Sequence, residues 1–187
     1  MACARPIQWR LLLGAVATLA VLYLGFAGLR ILYPIGYLDL IRASADEYGL
    51  DLALVGSLVR AESRFRADAV SPRGAVGLMQ IMPDTGAWIA ARIGLAAYTP
   101  EQLFDPATNL RLGCWYLRHM LDRFPNLEQA LWAYNAGATR VDEWLAAGQS
   151  PFPETSAYVR RVLRAVSIYR LYLRWSFLVR VTPSSPL

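Results

Sequence analysis

The stretch VRAESRFRADAVSPRGAVGLMQIMP, residues 59–83, sets one carboxylate, Glu62, at the end of an apolar segment. A loop of arginines, serine, proline and glycine follows, and then a second apolar run around Met79 and Gln80. Working backward, LALVGSLVRAES repeats apolar residues at Leu54, Val55, Leu58 and Val59, the spacing of one helix face, and Asp51 stands where an N-cap belongs. Glu62 therefore falls in the last turn of a helix. There a carboxylate meets the negative end of the helix dipole, which disfavours its charged form and raises its pKa. Working forward, Gly74 and Gly77 allow a small hairpin or irregular loop over residues 68–81, the one hint of strand in the sequence.

The rest of the chain beyond Tyr37 reads as short helices with clear punctuation. YLDLIRASADEYG carries Leu38, Ile41, Ala45 and Tyr48 on one face and stops at Gly49. Asp84 is expected to open TGAWIAARIG. Thr99-Pro100-Glu101-Gln102 has the form of a capping box with proline at the first helical position, and Asp105-Pro106 starts a longer helix running to about Phe124. Asn126 with Gln129 suggests another box ahead of LEQALWAYNAG, and ATRVDEWLAAG follows. Glu154 or Thr155 begins the final helix. The expected fold is all-α, with no internal repeat.

The chain has 187 residues and a net charge of +5, and all of its basic residues are arginine. Setting aside the N-terminal apolar stretch leaves roughly 150 residues, enough for one core. Cys3 and Cys114 are the only cysteines and lie on either side of that stretch, which excludes a disulfide framework and a Cys/His metal site. No cofactor is expected. LLLGAVATLAVLYLGFAGL, residues 11–29, has no charge and only Thr18 as a polar side chain. At 1.5 Å per residue it reaches about 28 Å, close to the bilayer's hydrocarbon thickness. Trp9 and Tyr33 suit the two interfaces, and Arg5 and Arg10 favour a cytoplasmic N-terminus. The expectation is a cytoplasmic segment at 1–10, a signal anchor at 11–33, a domain at 37–176 outside the cytoplasm and a tail at 177–187. Gly25-Phe26-Ala27 offers cleavage as the alternative. The moderate, dispersed charge and the lack of a basic reading helix argue against nucleic acid.

Four segments in order, ESRFRADAVSPRGAVGLMQIMP, DPATNLRLGCWYL, AYNAG at 133–137 and PFPETSAYVRRVL, give residues 37–175 a resemblance. Together they look like the catalytic domain of soluble-lytic-transglycosylase-type enzymes, a lysozyme-like multi-helix fold related to the goose-type lysozymes. The resemblance implies cleavage of the β-1,4 bond between N-acetylmuramic acid and N-acetylglucosamine in peptidoglycan, leaving a 1,6-anhydro end. It implies Glu62 as the catalytic acid, a saccharide cleft lined by Gly77, Leu78, Met79 and Gln80, and bordering residues Tyr134, Asn135, Glu154 and Tyr158.

The residue types suit that chemistry. Proton donation at neutral pH needs a carboxyl whose pKa is raised, and Leu58, Val59, Met79 and Tyr134 supply apolar surroundings that do so. A second carboxylate is hard to find. Asp68 is expected to pair with Arg64 or Arg66, and Glu154 to orient groups in the cleft. The substrate's own N-acetyl group can take the second role, as in substrate-assisted glycosidases. Ser71 and Gln80 are expected to bond acetamido groups or to orient Glu62, Tyr134 to hold its carboxyl, and Met79 to present a wall to a sugar face. Asn109 reads as the end of a first helical turn, and His119 as structural. Two alternatives stay open on the sequence: a lysozyme-like hydrolase that uses water, and a non-catalytic glycan-binding or scaffold protein of the wall.

Overall fold

A computed structural model describes residues 5–178. Cys3 and the tail beyond Leu178 lie outside them. The described chain is all-α: α1 (Arg5–Leu32), α2 (Leu38–Glu47), α3 (Leu52–Glu62), α4 (Pro83–Arg92), α5 (Pro106–Arg123), α6 (Leu127–Ala136), α7 (Ala138–Ala146) and α8 (Pro153–Leu178), with a 3-10 helix at Pro100–Phe104. It divides into two compact units, one built around α1 and the other spanning Ile35–Arg170.

In the first unit, Gln8–Leu32 is a 25-residue helical stretch long and apolar enough to cross a bilayer. From Trp9 to Leu24 its apolar side chains are exposed on every side, among them Leu11, Leu13, Leu19 and Leu22. A helix apolar on every side has no polar face to offer water.

In the second unit, α3 is the innermost element. Ala53 through Val59 are all buried, because the apolar residues around the turn are interrupted only by the small residues Gly56 and Ser57. The Ser57 hydroxyl donates to the Ala53 carbonyl at 2.6 Å, so its burial leaves no orphan donor. Asp51 caps the helix as expected, accepting from the Ala53 amide at 2.9 Å. α2 buries Ile41 and Ala45, and Gly49, just past its C-cap Tyr48, adopts φ +61°. α5 packs against α2, α4 and α6, and α6 against α7.

The other caps are local and were legible. Asp105 accepts from the Thr108 amide at 2.8 Å, and Asn126 from the Gln129 amide at 3.0 Å. Thr99 and Gln102 form the capping box, although the element it opens is one 3-10 turn rather than an α-helix. Two starts differ from expectation. α4 begins at Pro83 with Met82 before it, and α8 at Pro153, because proline's fixed φ already suits the first helical position.

The hint of strand resolves into two isolated antiparallel bridges, Val70 with Val76 and Val76 with Ile81, inside an otherwise irregular loop. Two glycines fix how this loop seats on α5. Gly77 has φ +81°, and a Cβ there would collide with the Asn109 side chain and the Leu103 carbonyl oxygen. Gly113 on α5 lies under Met79, where a Cβ would come within 2.7 Å of the Met79 Cβ. Gly113→Ala therefore forces the loop off the helix and is expected to cost about 2 kcal/mol, the scale of core overpacking. Denaturant titration of the variant checks this.

Candidate active site

Glu62 is the last residue of α3, and the chain turns sharply after it. Arg64 and Phe65 both adopt left-handed backbone, with φ of 53° and 63°, a conformation that side chains of this size rarely take. The turn is pinned by Ser63, which is buried and whose hydroxyl lies 2.9 Å from the Leu78 carbonyl and 3.2 Å from that of Val59. The helix end is thereby stapled to the loop at residues 76–80.

That loop is held from below by Asn109, which has no exposed surface. Its amide nitrogen donates to the carbonyls of Val76 (2.9 Å) and Leu103 (2.8 Å), and its oxygen accepts from the Met79 amide (2.8 Å). Sequence spacing alone places Asn109 at the end of a first helical turn. Two of its three partners lie 30 and 33 positions away in the loop, and local pattern carries no signal for them.

The carboxyl of Glu62 meets two tyrosines differently from the expectation. Tyr158 of α8, 3% exposed, donates its hydroxyl to Glu62 Oε1 at 2.5 Å. Tyr134 of α6, expected to hold the carboxyl, instead donates to the Met79 carbonyl at 2.9 Å and so braces the loop. Burial pushes both phenols well above their ordinary pKa, so both stay protonated and remain donors.

Burial likewise raises the Glu62 carboxyl to about 7. The Tyr158 hydrogen bond and the positive charge of Arg161 pull the other way and do not offset it. Arg161 sits 5.8 Å from the Tyr158 ring centre. Among the described residues no carboxylate is among the groups acting on Glu62.

The other expected site residues divide. Leu78 and Met79 are fully buried, backbone included, so they belong to the core rather than to the cleft surface: the Leu78 carbonyl lies 2.9 Å from the Ser63 hydroxyl, and the Met79 amide and carbonyl are taken by Asn109 and Tyr134. The Gln80 amide nitrogen donates to the Ala69 and Gly77 carbonyls at 3.1 and 2.9 Å, stabilising Gln80's own left-handed backbone, φ 50°. The Ser71 hydroxyl accepts from the Ala75 amide at 3.0 Å. Gly77 is buried against Asn109. Asn135 is exposed beside Tyr134, and Glu154 is exposed one turn before Tyr158 on the same face of α8. Asp68 is exposed and forms no ion pair with Arg64 or Arg66 among the described residues. Met82, which the sequence did not single out, is 40% exposed between Gln80 and α4.

A half-buried carboxyl raised to about 7, hydrogen-bonded by one phenol and, among the described residues, acted on by no carboxylate, is equipped to donate a proton and then to accept one. Comparison with known proteins fits this geometry. The family model described as the transglycosylase SLT domain matches residues 39–154. The chain is 35% identical over 156 residues to the soluble lytic murein transglycosylase of Escherichia coli strain K12, covering 75% of this chain and 24% of that protein. It shares its fold with the crystal structure of the 70 kDa soluble lytic transglycosylase from Escherichia coli, at TM-score 0.72 and 34% identity over 78% of this chain and 26% of that one. An inactive mutant of the lytic transglycosylase Slt from Pseudomonas aeruginosa matches at TM-score 0.73, again at 34% identity over 78% and 26% of the two chains. The chain thus spans about a quarter of the length of these relatives. With the match reaching from α2 into the first turn of α8, the chain belongs to the transglycosylase SLT domain family.

Proposed function

We propose that this protein is a peptidoglycan lytic transglycosylase in which Glu62 acts alone, first as acid and then as base. The observation that carries the reading is the half-buried Glu62 carboxyl at the end of α3, raised to about 7 and bonded to Tyr158. Protonated Glu62 gives its proton to the oxygen of the β-1,4 bond as that bond to the muramic C1 breaks, and the N-acetylglucosamine end departs as an alcohol. The acetamido oxygen of the muramic residue stabilises the positive C1. Ionised Glu62 then takes the proton from the sugar's own 6-hydroxyl as O6 bonds to C1, closing the 1,6-anhydro ring. No water is consumed, and the carboxyl ends as it began.

Other residues take supporting roles in this reading. Ser71, whose hydroxyl accepts from Ala75, retains a proton to donate to an acetamido group. Gly77, Leu78 and Met79 are buried and serve by seating the loop that presents Gln80 to the cleft. Gln80, Asn135 and Glu154 border the cleft. The apolar stretch at 11–33 anchors the domain of residues 37–176 to the extracytoplasmic side of the cytoplasmic membrane, where glycan strands lie. The small-x-small site at Gly25-Phe26-Ala27 is the competing fate of that helix.

Product analysis tests the reaction class. Purified protein incubated with peptidoglycan should release muropeptides ending in the anhydro ring. Products with reducing ends would replace this reading by hydrolysis, and intact strands would replace it by a binding role. The role of Tyr158 has its own test. Its hydrogen bond stabilises the carboxylate, so Tyr158→Phe is expected to move the alkaline limb of the rate profile up by about one pH unit. An unmoved limb would mean that the bond only packs the helix.

A further inference from the structure

On α8, Glu154, Tyr158 and Arg161 follow the i, i+4, i+7 spacing that sets three side chains on one helix face. That face therefore carries an acid, the phenol bonded to Glu62 and a guanidinium. Arg161 is exposed, with its guanidinium carbon 5.8 Å from the centre of the Tyr158 ring, and the Tyr158 hydroxyl reaches Glu62 Oε1 at 2.5 Å. Among the described residues Arg111, Arg118, Arg123 and Arg170 each hold a carboxylate in an ion pair. Arg161 is in none of these pairs and is not joined to Glu154 on its own face.

A bare cation is misplaced beside a general acid, because it favours the carboxylate and so weakens the acid. Among the described residues Tyr158 and Arg161 of α8 and Tyr134 of α6 face Glu62. Both phenols stay neutral, which leaves Arg161 as the one full charge acting on it. The liability disappears when a bound substrate brings an anion of its own. N-acetylglucosamine has none. A muramic residue carries a lactyl arm on O3, and this arm ends in a carboxylate when no peptide is attached and in an uncharged amide when one is. The ring that supplies the scissile C1 is the ring that bears the arm. A guanidinium stays protonated and offers a planar fork of N–H donors that matches the two oxygens of a carboxylate, whereas an amide offers it neither the charge nor the second acceptor.

We propose that Arg161 is a specificity residue that grips the free lactyl carboxylate of the muramic residue cleaved at Glu62, so that the protein favours glycan strands stripped of peptide. The inference rests on the glycan-cleaving reading above. A carboxylate held there cancels the guanidinium charge beside Glu62 and, being negative itself, keeps the Glu62 proton in place until it is delivered.

The test is calorimetric binding to the full chain in detergent, in a Glu62→Gln background so that nothing is cleaved. Three strands of equal length are compared: peptide-free strands with free lactyl carboxylates, the same strands with each lactyl group converted to its methylamide, and peptide-bearing strands. The first should bind about tenfold more tightly than the other two. Arg161→Gln should erase that difference and Arg161→Lys should restore part of it. Arg160→Gln, an equal change of charge at the neighbouring exposed position, should leave it intact. Equal affinities for peptide-free and methylamide strands would overturn the proposal, as would a difference that survives Arg161→Gln or falls as far in Arg160→Gln. An affinity that Arg161→Gln lowers on peptide-bearing strands alone would also overturn it, by assigning the guanidinium to a carboxylate of the peptide. In the chain with Glu62 intact and no ligand, Arg161→Gln should raise the protonation midpoint of Glu62 followed by its infrared band, and an unmoved midpoint would put the guanidinium out of reach of the site. Because the binding arm reads no cleavage, its failure leaves the reaction assignment standing. Conversely, an absence of anhydro products alongside an Arg161-dependent preference would remove the reaction and keep the specificity.

Discussion

Glu62→Gln abolishes turnover by a factor on the order of 10³ to 10⁴ while the protein stays folded, the scale expected when the group that donates and accepts the proton is lost. Glutamine fills the same volume and can still accept from Tyr158, so the geometry of the α3 end survives. The variant should also be the more stable protein at alkaline pH. A carboxyl whose pKa is raised on folding contributes its full stability below its unfolded value of 4.5 and loses it as pH rises through about 7. Above that point wild type bears the cost of a buried charge, at most about 3 kcal/mol from a shift of this size. Melting curves of the two proteins should therefore lie closest below about pH 4.5, draw apart between 4.5 and 7 and keep a steady separation above, with Glu62→Gln higher. Rates are read on peptidoglycan by release of soluble muropeptides.

The second large effect falls on stability. Asn109→Leu keeps the branched shape of the side chain but strips the Met79 amide of its acceptor and takes one donor each from the carbonyls of Val76 and Leu103. The Met79 amide is buried, so its desolvation goes unrepaid, and the variant is expected to lose about 3 kcal/mol in urea unfolding. Activity should fall further than the unfolded fraction explains. The loop that Asn109 holds also receives the Ser63 and Tyr134 hydroxyls, and its displacement loosens the turn after Glu62. A stable Asn109→Leu protein with wild-type rates would show that the loop seats itself without this residue.

What the sequence disclosed about fold and site follows the range of the interactions. Asp51, Asp105 and Asn126 cap within three residues of themselves, so their roles were readable from spacing. Helix identity was likewise legible from periodicity, as in the buried Ile41 and Ala45 of α2. Glu62 drew notice through its place at a helix end before a glycine-bearing loop. The division of labour between two tyrosines was not legible. Tyr158 reaches Glu62 across 96 residues and Tyr134 reaches Met79 across 55, and either assignment suits a tyrosine in isolation. Met79 shows the same limit from the other side. A methionine beside a cleft motif reads as a wall for substrate, and only its fit over Gly113 shows that it faces inward.

The central claim is that the Glu62 carboxyl is still protonated near neutrality. It is tested most directly by following the protonated-carboxyl infrared band that wild type has and Glu62→Gln lacks, across a pH titration of the full chain in detergent. A midpoint near 7, moving upward in Tyr158→Phe, is the result this account predicts. A midpoint near 4.5, the ordinary glutamate value, would mean that the group is ionised at working pH and cannot be the acid.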